Sequence, residues 1–270
     1  TCMGTGLARL RSVYFRESPD FILKMKSLLF PGALTGLLLL FSGHLSSAEP
    51  NPPLLRSGDR IVLVGNTLLE RARLYGQLET QLQIAAGSDA NGITLRNLGW
   101  SGDSVFGDAR SYFGPPSEGR ERLSRTLGEI KPTVALLCYG TGAAMSADQG
   151  WTRENAHADT SAAGYEASRE LFLSGYQALL DQIRSASGDG LREIVLLSPP
   201  PLENLGDPLP DQVENNRRLG GFRDGIRELA KKNSLRFVDL FAALGGDAFQ
   251  GEVAKPALTE DGVHHSEAGH

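Results

Sequence analysis

The last ten residues contain Asp261-Gly262-Val263-His264, a carboxylate and an imidazole three positions apart. On a tight turn that spacing lets the carboxylate reach one ring nitrogen and leaves the other free to take a proton. A hydroxyl is a poor nucleophile until a positioned imidazole removes its proton, and a carboxylate fixes the useful tautomer of that imidazole. Such a pair could activate a hydroxyl for attack; were the target a carbonyl, N–H donors would also be needed where its oxygen becomes negative. The plainer alternative is a surface Asp and His with no such role. His44 and His157 sit in no partner pattern. Cys138 ends the apolar run Val134–Cys138 and reads as a small buried hydrophobe, and no Cys/His spacing suits zinc.

Such groups need a scaffold, and five apolar runs offer one: Ile61–Val64, Ile93–Leu98, Thr133–Cys138, Ile194–Leu197 and Leu235–Val238. They are rich in Val, Ile and Leu without polar alternation, as expected of parallel strands covered on both faces. Between them, Leu68, Leu69, Ala72, Tyr75, Leu78 and Leu82 fall at helical spacing. Leu171, Tyr176, Leu179, Leu180 and Ile183 do the same, as do Leu219, Phe222, Ile226 and Leu229. This alternation predicts an α/β fold, a three-layer α/β/α sandwich with a doubly wound, five-stranded parallel sheet of flavodoxin-like type. Ligands of such sheets bind beyond the carboxyl ends of the strands, so the loops after each run should carry function. Those loops read Gly65-Asn66-Thr67, Asn97-Leu98-Gly99-Trp100-Ser101-Gly102-Asp103, Tyr139-Gly140-Thr141-Gly142, a proline-rich stretch from Ser198 to Pro210, and the Asp261–His264 block. The polar stretch from Ser146 to Gly164, with Trp151 and His157, reads as a surface loop or lid.

Taken together, the loops resemble the blocks of the SGNH (GDSL-type) hydrolase superfamily, over about Arg56 to His270. The resemblance implies that the first block supplies a serine nucleophile and the second, of the form Asn-x-Gly-x-x-Gly-Asp, an oxyanion-hole glycine amide. It implies an asparagine donor in the third block, and the base with its orienting carboxylate in the last. Carried over, Gly102 is the oxyanion glycine, Asp261 and His264 are the acid–base pair, and Asn66 and Asp103 are supporting residues. The Asp-x-x-His spacing selects His264 over His265. Two positions depart from the pattern. Thr67 stands at the nucleophile position, with a β-methyl that restricts χ1, and Asn66 replaces the aspartate beside it. Gly142 stands where the oxyanion asparagine belongs, a loss of about 100- to 1000-fold by analogy with other such donors. Ser101 and Ser104 flank Gly102 and are alternative nucleophiles, though both suit turns.

The resemblance thus implies a carboxylic ester hydrolase without metal or cofactor, acting on small acyl esters, acetyl esters of carbohydrates among them. The alternative is a catalytically impaired binding or accessory domain that keeps the crevice. The formal charge is −5. Beyond residue 48 the chain has 22 basic and 30 acidic residues with no Lys/Arg stripe, which argues against nucleic acid as a partner. Lys24 and Lys26 precede an apolar run from Leu28 to Phe41, followed by Ser46-Ser47-Ala48. That run is shorter than the roughly 20 residues a membrane-spanning helix needs. It reads as a signal peptide over 25–48, cleaved after Ala48, with export and no stable membrane anchor. Residues 1–24 read as an upstream extension, 49–55 as a linker, and 56–270 as the domain. The family implies a further helix, so a C-terminal part beyond His270 is expected.

Overall fold

The computed structural model describes residues 53–87, 91–146, 162–246 and 257–270. The expected extension, signal peptide and most of the linker lie outside these, as do His44, Trp151 and His157. The elements alternate as β1 (Arg60–Gly65), α1 (Thr67–Tyr75), α2 (Gln77–Ala86), β2 (Thr94–Gly99), α3 (Pro116–Ile130), β3 (Val134–Cys138), α4 (Thr141–Met145), α5 (Ala162–Ser187), β4 (Glu193–Leu197), α6 (Val213–Lys232), β5 (Arg236–Val238) and α7 (Leu240–Ala243). The five strands are all parallel, in the order β2-β1-β3-β4-β5.

Alternate residues of the central strands feed two cores. Val62 and Val64 point to a layer built by Leu123 and Leu127 of α3, Tyr176 and Leu180 of α5, and Phe222 and Ile226 of α6. Ile61 and Leu63 point the other way, to Leu69 of α1, with Leu78 and Leu82 of α2 and Leu240 of α7 packed around them. Helices therefore cover both faces of the sheet, which is the predicted sandwich.

Several details differ from the sequence expectation. Burial on both faces holds for β1, β3 and β4, but β2 alternates exposed and half-buried residues and β5 is only partly covered. Both are edge strands with one neighbour, so the covering layers thin out over them. The helical run from Leu68 to Leu82 breaks at Gly76, and α2 has no fully buried residue. The periodicity does not single out α3, whose Arg- and Glu-rich face hides a stripe of Leu123, Leu127 and Ile130. Residues 162–164, placed in the polar loop from sequence, open α5; the described residues 257–270 contain no helix.

Candidate active site

In the order 2-1-3-4-5 the chain winds away from β1 in one direction and from β3 in the other, and a crevice opens where these two strands meet. A cavity of about 820 Å³ lies there. Asn66, Thr67, Gly102, Asp103, Gly142 and His264 all line it. The loops after β1, β2 and β3 and the last block thus converge although they are spread over some 200 positions of sequence. Asn66 caps α1 through its carbonyl, which accepts the Glu70 amide at 3.0 Å. Its side chain makes no capping bond, and Thr67 is the first helical residue. The remaining wall is largely apolar, including Met145, Leu171 and Phe172.

The last block forms the turn its spacing predicts. His264 Nδ1 lies 2.6 Å from Asp261 Oδ2. The other carboxylate oxygen, Oδ1, accepts the amides of Val263 (3.0 Å) and His264 (2.8 Å). Partial burial works against ionisation of Asp261, but the hydrogen bonds from the His264 amide and ring and the Val263 amide outweigh it and hold the carboxyl down at about 2. Asp261 itself does not line the cavity and stands behind the imidazole. Gly262 sits at φ +90, and a Cβ there would come within 2.8 Å of the Glu203 carbonyl oxygen; only glycine closes this turn without strain. His265 also borders the cavity, yet it is only 4% exposed, and burial pushes its ring down to about 4.

The second block is anchored from below. Asp103 is buried, and its Oδ2 accepts from Arg110 Nε at 2.7 Å and from the Tyr139 hydroxyl at 2.8 Å. Arg110 also donates to the Leu98 carbonyl at the end of β2, at 2.5 Å. Burial pushes the Asp103 carboxyl up while the Arg110 guanidinium pulls against it, so the pair is held by mutual need rather than by stability alone. The loop above it presents Gly102 at φ +76. The Gly102 amide donates to no protein acceptor among the described residues. Both neighbouring serines are engaged with carboxylates, Ser101 with Glu70 and Ser104 with Asp108. This leaves neither hydroxyl disposed as a relocated nucleophile. Gly142 is the second residue of α4, not a left-handed glycine, and the space a Cβ would fill is open. Cys138 is fully buried, its thiol pushed up to about 12 by burial.

Sequence reasoning missed the group that fastens the last block. Glu203, 1% exposed in the proline-rich loop, accepts the Thr259 amide and hydroxyl on Oε2, both at 2.7 Å, and the Leu258 amide on Oε1 at 3.2 Å. Its own amide donates to the Gly262 carbonyl at 2.9 Å. From α1, Arg71 reaches Glu260 at 2.8 Å. A lone glutamate among prolines carries no sequence signal, because its partners lie more than fifty positions away.

The model of the GDSL-like lipase/acylhydrolase family matches residues 59–270, most of the chain. The chain belongs to this family. Membership places the protein among carboxylic ester hydrolases of SGNH type. Similar solved structures include a catalytic mutant of Axe2, an acetylxylan esterase from Geobacillus stearothermophilus, at 20% identity and TM-score 0.53, covering 80% of this chain and 90% of that one. The α/β hydrolase LAE5 from the metagenome of Lake Arreo aligns at 17% identity and TM-score 0.53, covering 80% and 92%. The acetyl xylan esterase AlAXEase aligns at 16% and 0.52, covering 78% and 93%. At these identities the likeness is one of fold. No curated protein sequence matches the chain.

Proposed function

We propose that the protein removes small acyl groups, acetyl above all, from carbohydrate esters, with Thr67 as nucleophile and His264 as base. The observation that carries this reading is the short His264–Asp261 contact, with the ring in the same cavity as Thr67 and the unclaimed Gly102 amide. Thr67 Oγ1 attacks the carbonyl carbon as its proton passes to His264 Nε2. Asp261 stabilises the resulting imidazolium. The carbonyl oxygen takes up negative charge, which the Gly102 amide receives. Collapse expels the sugar oxygen with the proton from His264, leaving an acyl-threonine. Water then adds with its proton going to His264, and the acid leaves as Thr67 regains its hydrogen. The acetyl preference draws support from the acetylxylan esterases that share the fold.

Acetate release from acetylated xylo-oligosaccharides tests this, alongside intact mass after exposure to a serine-directed phosphonate. Wild type should release acetate and gain one phosphonyl mass on Thr67. His264→Ala should lose about 100- to 10,000-fold in rate. A well-folded wild type that does neither refutes the hydrolase mechanism. The altered Thr67 and Gly142 positions favour, as second reading, a binding module that retains the crevice, and that result would install it.

We also infer export, from the lysine-flanked apolar run and the Ser46-Ser47-Ala48 site. Terminal sequencing of protein recovered outside the cytoplasm should begin at Glu49; a membrane-embedded chain retaining residues 25–48 would contradict it.

A further inference from the structure

A second hollow, of about 600 Å³, lies on another side of the Gly99–Gly102 loop and shares none of the residues that line the crevice. Glu70 and Arg73 of α1, the end of β2, and Arg122, Arg125 and Glu129 of α3 form its walls. Trp100 and Tyr112 also line it, 40% and 57% exposed, their rings edge to face at 5.7 Å. The Arg122 guanidinium stands over the Tyr112 ring, 4.6 Å from its centroid. Phe113, next in the chain, is fully exposed. Three large aromatics exposed within fourteen positions is an arrangement that folding does not need and binding uses. Tyr112 moreover holds φ +56, a sparsely populated conformation for a side chain of its size.

The charges in the hollow are unevenly spent. Glu70 is occupied, by Arg73 at 3.3 Å and by the Ser101 amide at 2.8 Å. Arg110 is committed to buried Asp103. Arg122 and Arg125, three apart on the exposed side of α3, form no ion pair among the described residues. Glu129 is the one other charge on the rim, so these three side chains leave an excess of positive charge, on a protein whose formal charge is −5. Two guanidiniums on one helix face with no carboxylate partner among the described residues suit the capture of a ligand carboxylate, with Arg122 already oriented by the Tyr112 ring. An indole face at their side suits the apolar C–H face of a sugar ring. An inorganic anion would leave the aromatics unused, and a neutral sugar would leave the arginines unused.

We propose that the Trp100–Tyr112–Arg122–Arg125 hollow is a second saccharide subsite, taking a carboxylate-bearing sugar unit of the chain whose ester is cut in the crevice. This rests on the carbohydrate-ester reading above. Trp100 is two positions before Gly102, so their Cα atoms are at most about 7.6 Å apart, and a short oligosaccharide can span both sites. The subsite would select acidic glycans and would leave the chemistry itself alone.

Calorimetric titration of unesterified xylo-oligosaccharides, with and without a uronate branch, tests the subsite on the mature protein. The uronate-bearing ligand should bind about tenfold tighter than the neutral one. Trp100→Ala should weaken both, by about tenfold or somewhat less. An Arg122→Gln/Arg125→Gln double variant, altered only on an exposed helix face, should erase the preference for the acid, and it carries the test if Trp100→Ala fails to fold. Equal affinity for the two ligands, or affinities indifferent to both variants, would overturn the proposal. Hydrolysis of a short aryl acetate by the arginine double variant, which alters nothing in the crevice or the Gly102 loop, should stay at the wild-type rate. Because the titrated ligands carry no ester, a protein that binds them but cleaves nothing refutes the catalytic mechanism and spares the subsite.

Discussion

The loop of residues 258–265 and the turn of residues 140–142 line one cavity, but they are held in different ways. The first is tied at almost every position: Leu258 and Thr259 to Glu203, Glu260 to Arg71, Gly262 to Thr259 and Glu203, and Val263 and His264 to Asp261. The second has one side chain, that of Thr141, which lines the cavity between two glycines. Gly140 precedes α4 as its N-cap, Gly142 has no side chain, and the space a Cβ there would fill is open. On the proposed mechanism the acid–base half of the site has both its residues and the bonds that pre-organise them, whereas the half that would receive the oxyanion has glycine where the family pattern has a side-chain donor. Catalysis is limited by preorganised donors as much as by the base. On that mechanism a deficit in rate is expected at Thr67 and Gly142 rather than at His264.

The strongest way to break that comparison is to rebuild the weaker half. Thr67→Ser removes the methyl that restricts χ1 at the first residue of α1, and Gly142→Asn returns a donor to the third block. Gly142 is helical and nothing lies within 4 Å of a Cβ there, so asparagine enters without backbone strain. Both changes act on one tetrahedral intermediate, so their gains should be coupled rather than additive. Hydrolysis of a short-chain aryl ester should rise by about 100-fold or more in the double variant. A folded double variant no faster than wild type would show that the deficit does not reside at these positions.

How far the sequence speaks follows from how local each feature is. The central strands are legible because successive residues are all apolar, Val62 and Val64 toward one core and Ile61 and Leu63 toward the other, which two covering layers demand. The edge strands are less apolar, with Arg96 and Asn97 in β2 and Arg236 in β5, and those polar residues mark the thinner cover that a reading of both as buried passes over. The Asp261–His264 pair is legible because both partners and both bridging amides lie within one four-residue turn. Glu203 and Arg110 are invisible for the opposite reason: each matters only through groups that the fold brings from elsewhere, and a buried carboxylate or guanidinium looks in sequence like any surface charge. The Trp100–Tyr112 hollow follows the same rule, since Arg122 joins the aromatics only once α3 packs against the turn of residues 109–111.

The smaller test sharpens the comparison from the anchored side and turns on His265, the neighbour that spacing alone sets aside. Its ring is buried, faces His270 at 5.6 Å between centroids, and has Glu203, His264 and Arg71 among the charged or titratable groups around it. Burial is the main cause of its low value; His270, His264 and Arg71 push the same way and Glu203 opposes them. A histidine with an ordinary value of 6.5 unfolded and about 4 folded binds fewer protons in the native state between those limits. Stability is therefore complete above pH 6.5 and falls as pH drops toward 4, because protons favour the unfolded chain. For this one group the loss from pH 7 to pH 5 should be about 2 kcal/mol. Urea denaturation at a series of pH values measures it. His265→Gln should flatten the slope over that window, whatever it does to the stability at pH 7. Asp261 titrates near its ordinary 3.8 in the unfolded chain and at about 2 in the folded one, so its own ionisation lies below this window. A slope unchanged in His265→Gln would mean that the ring is protonated in the folded loop, and the anchored half of the site would then be less dry than its hydrogen bonds imply.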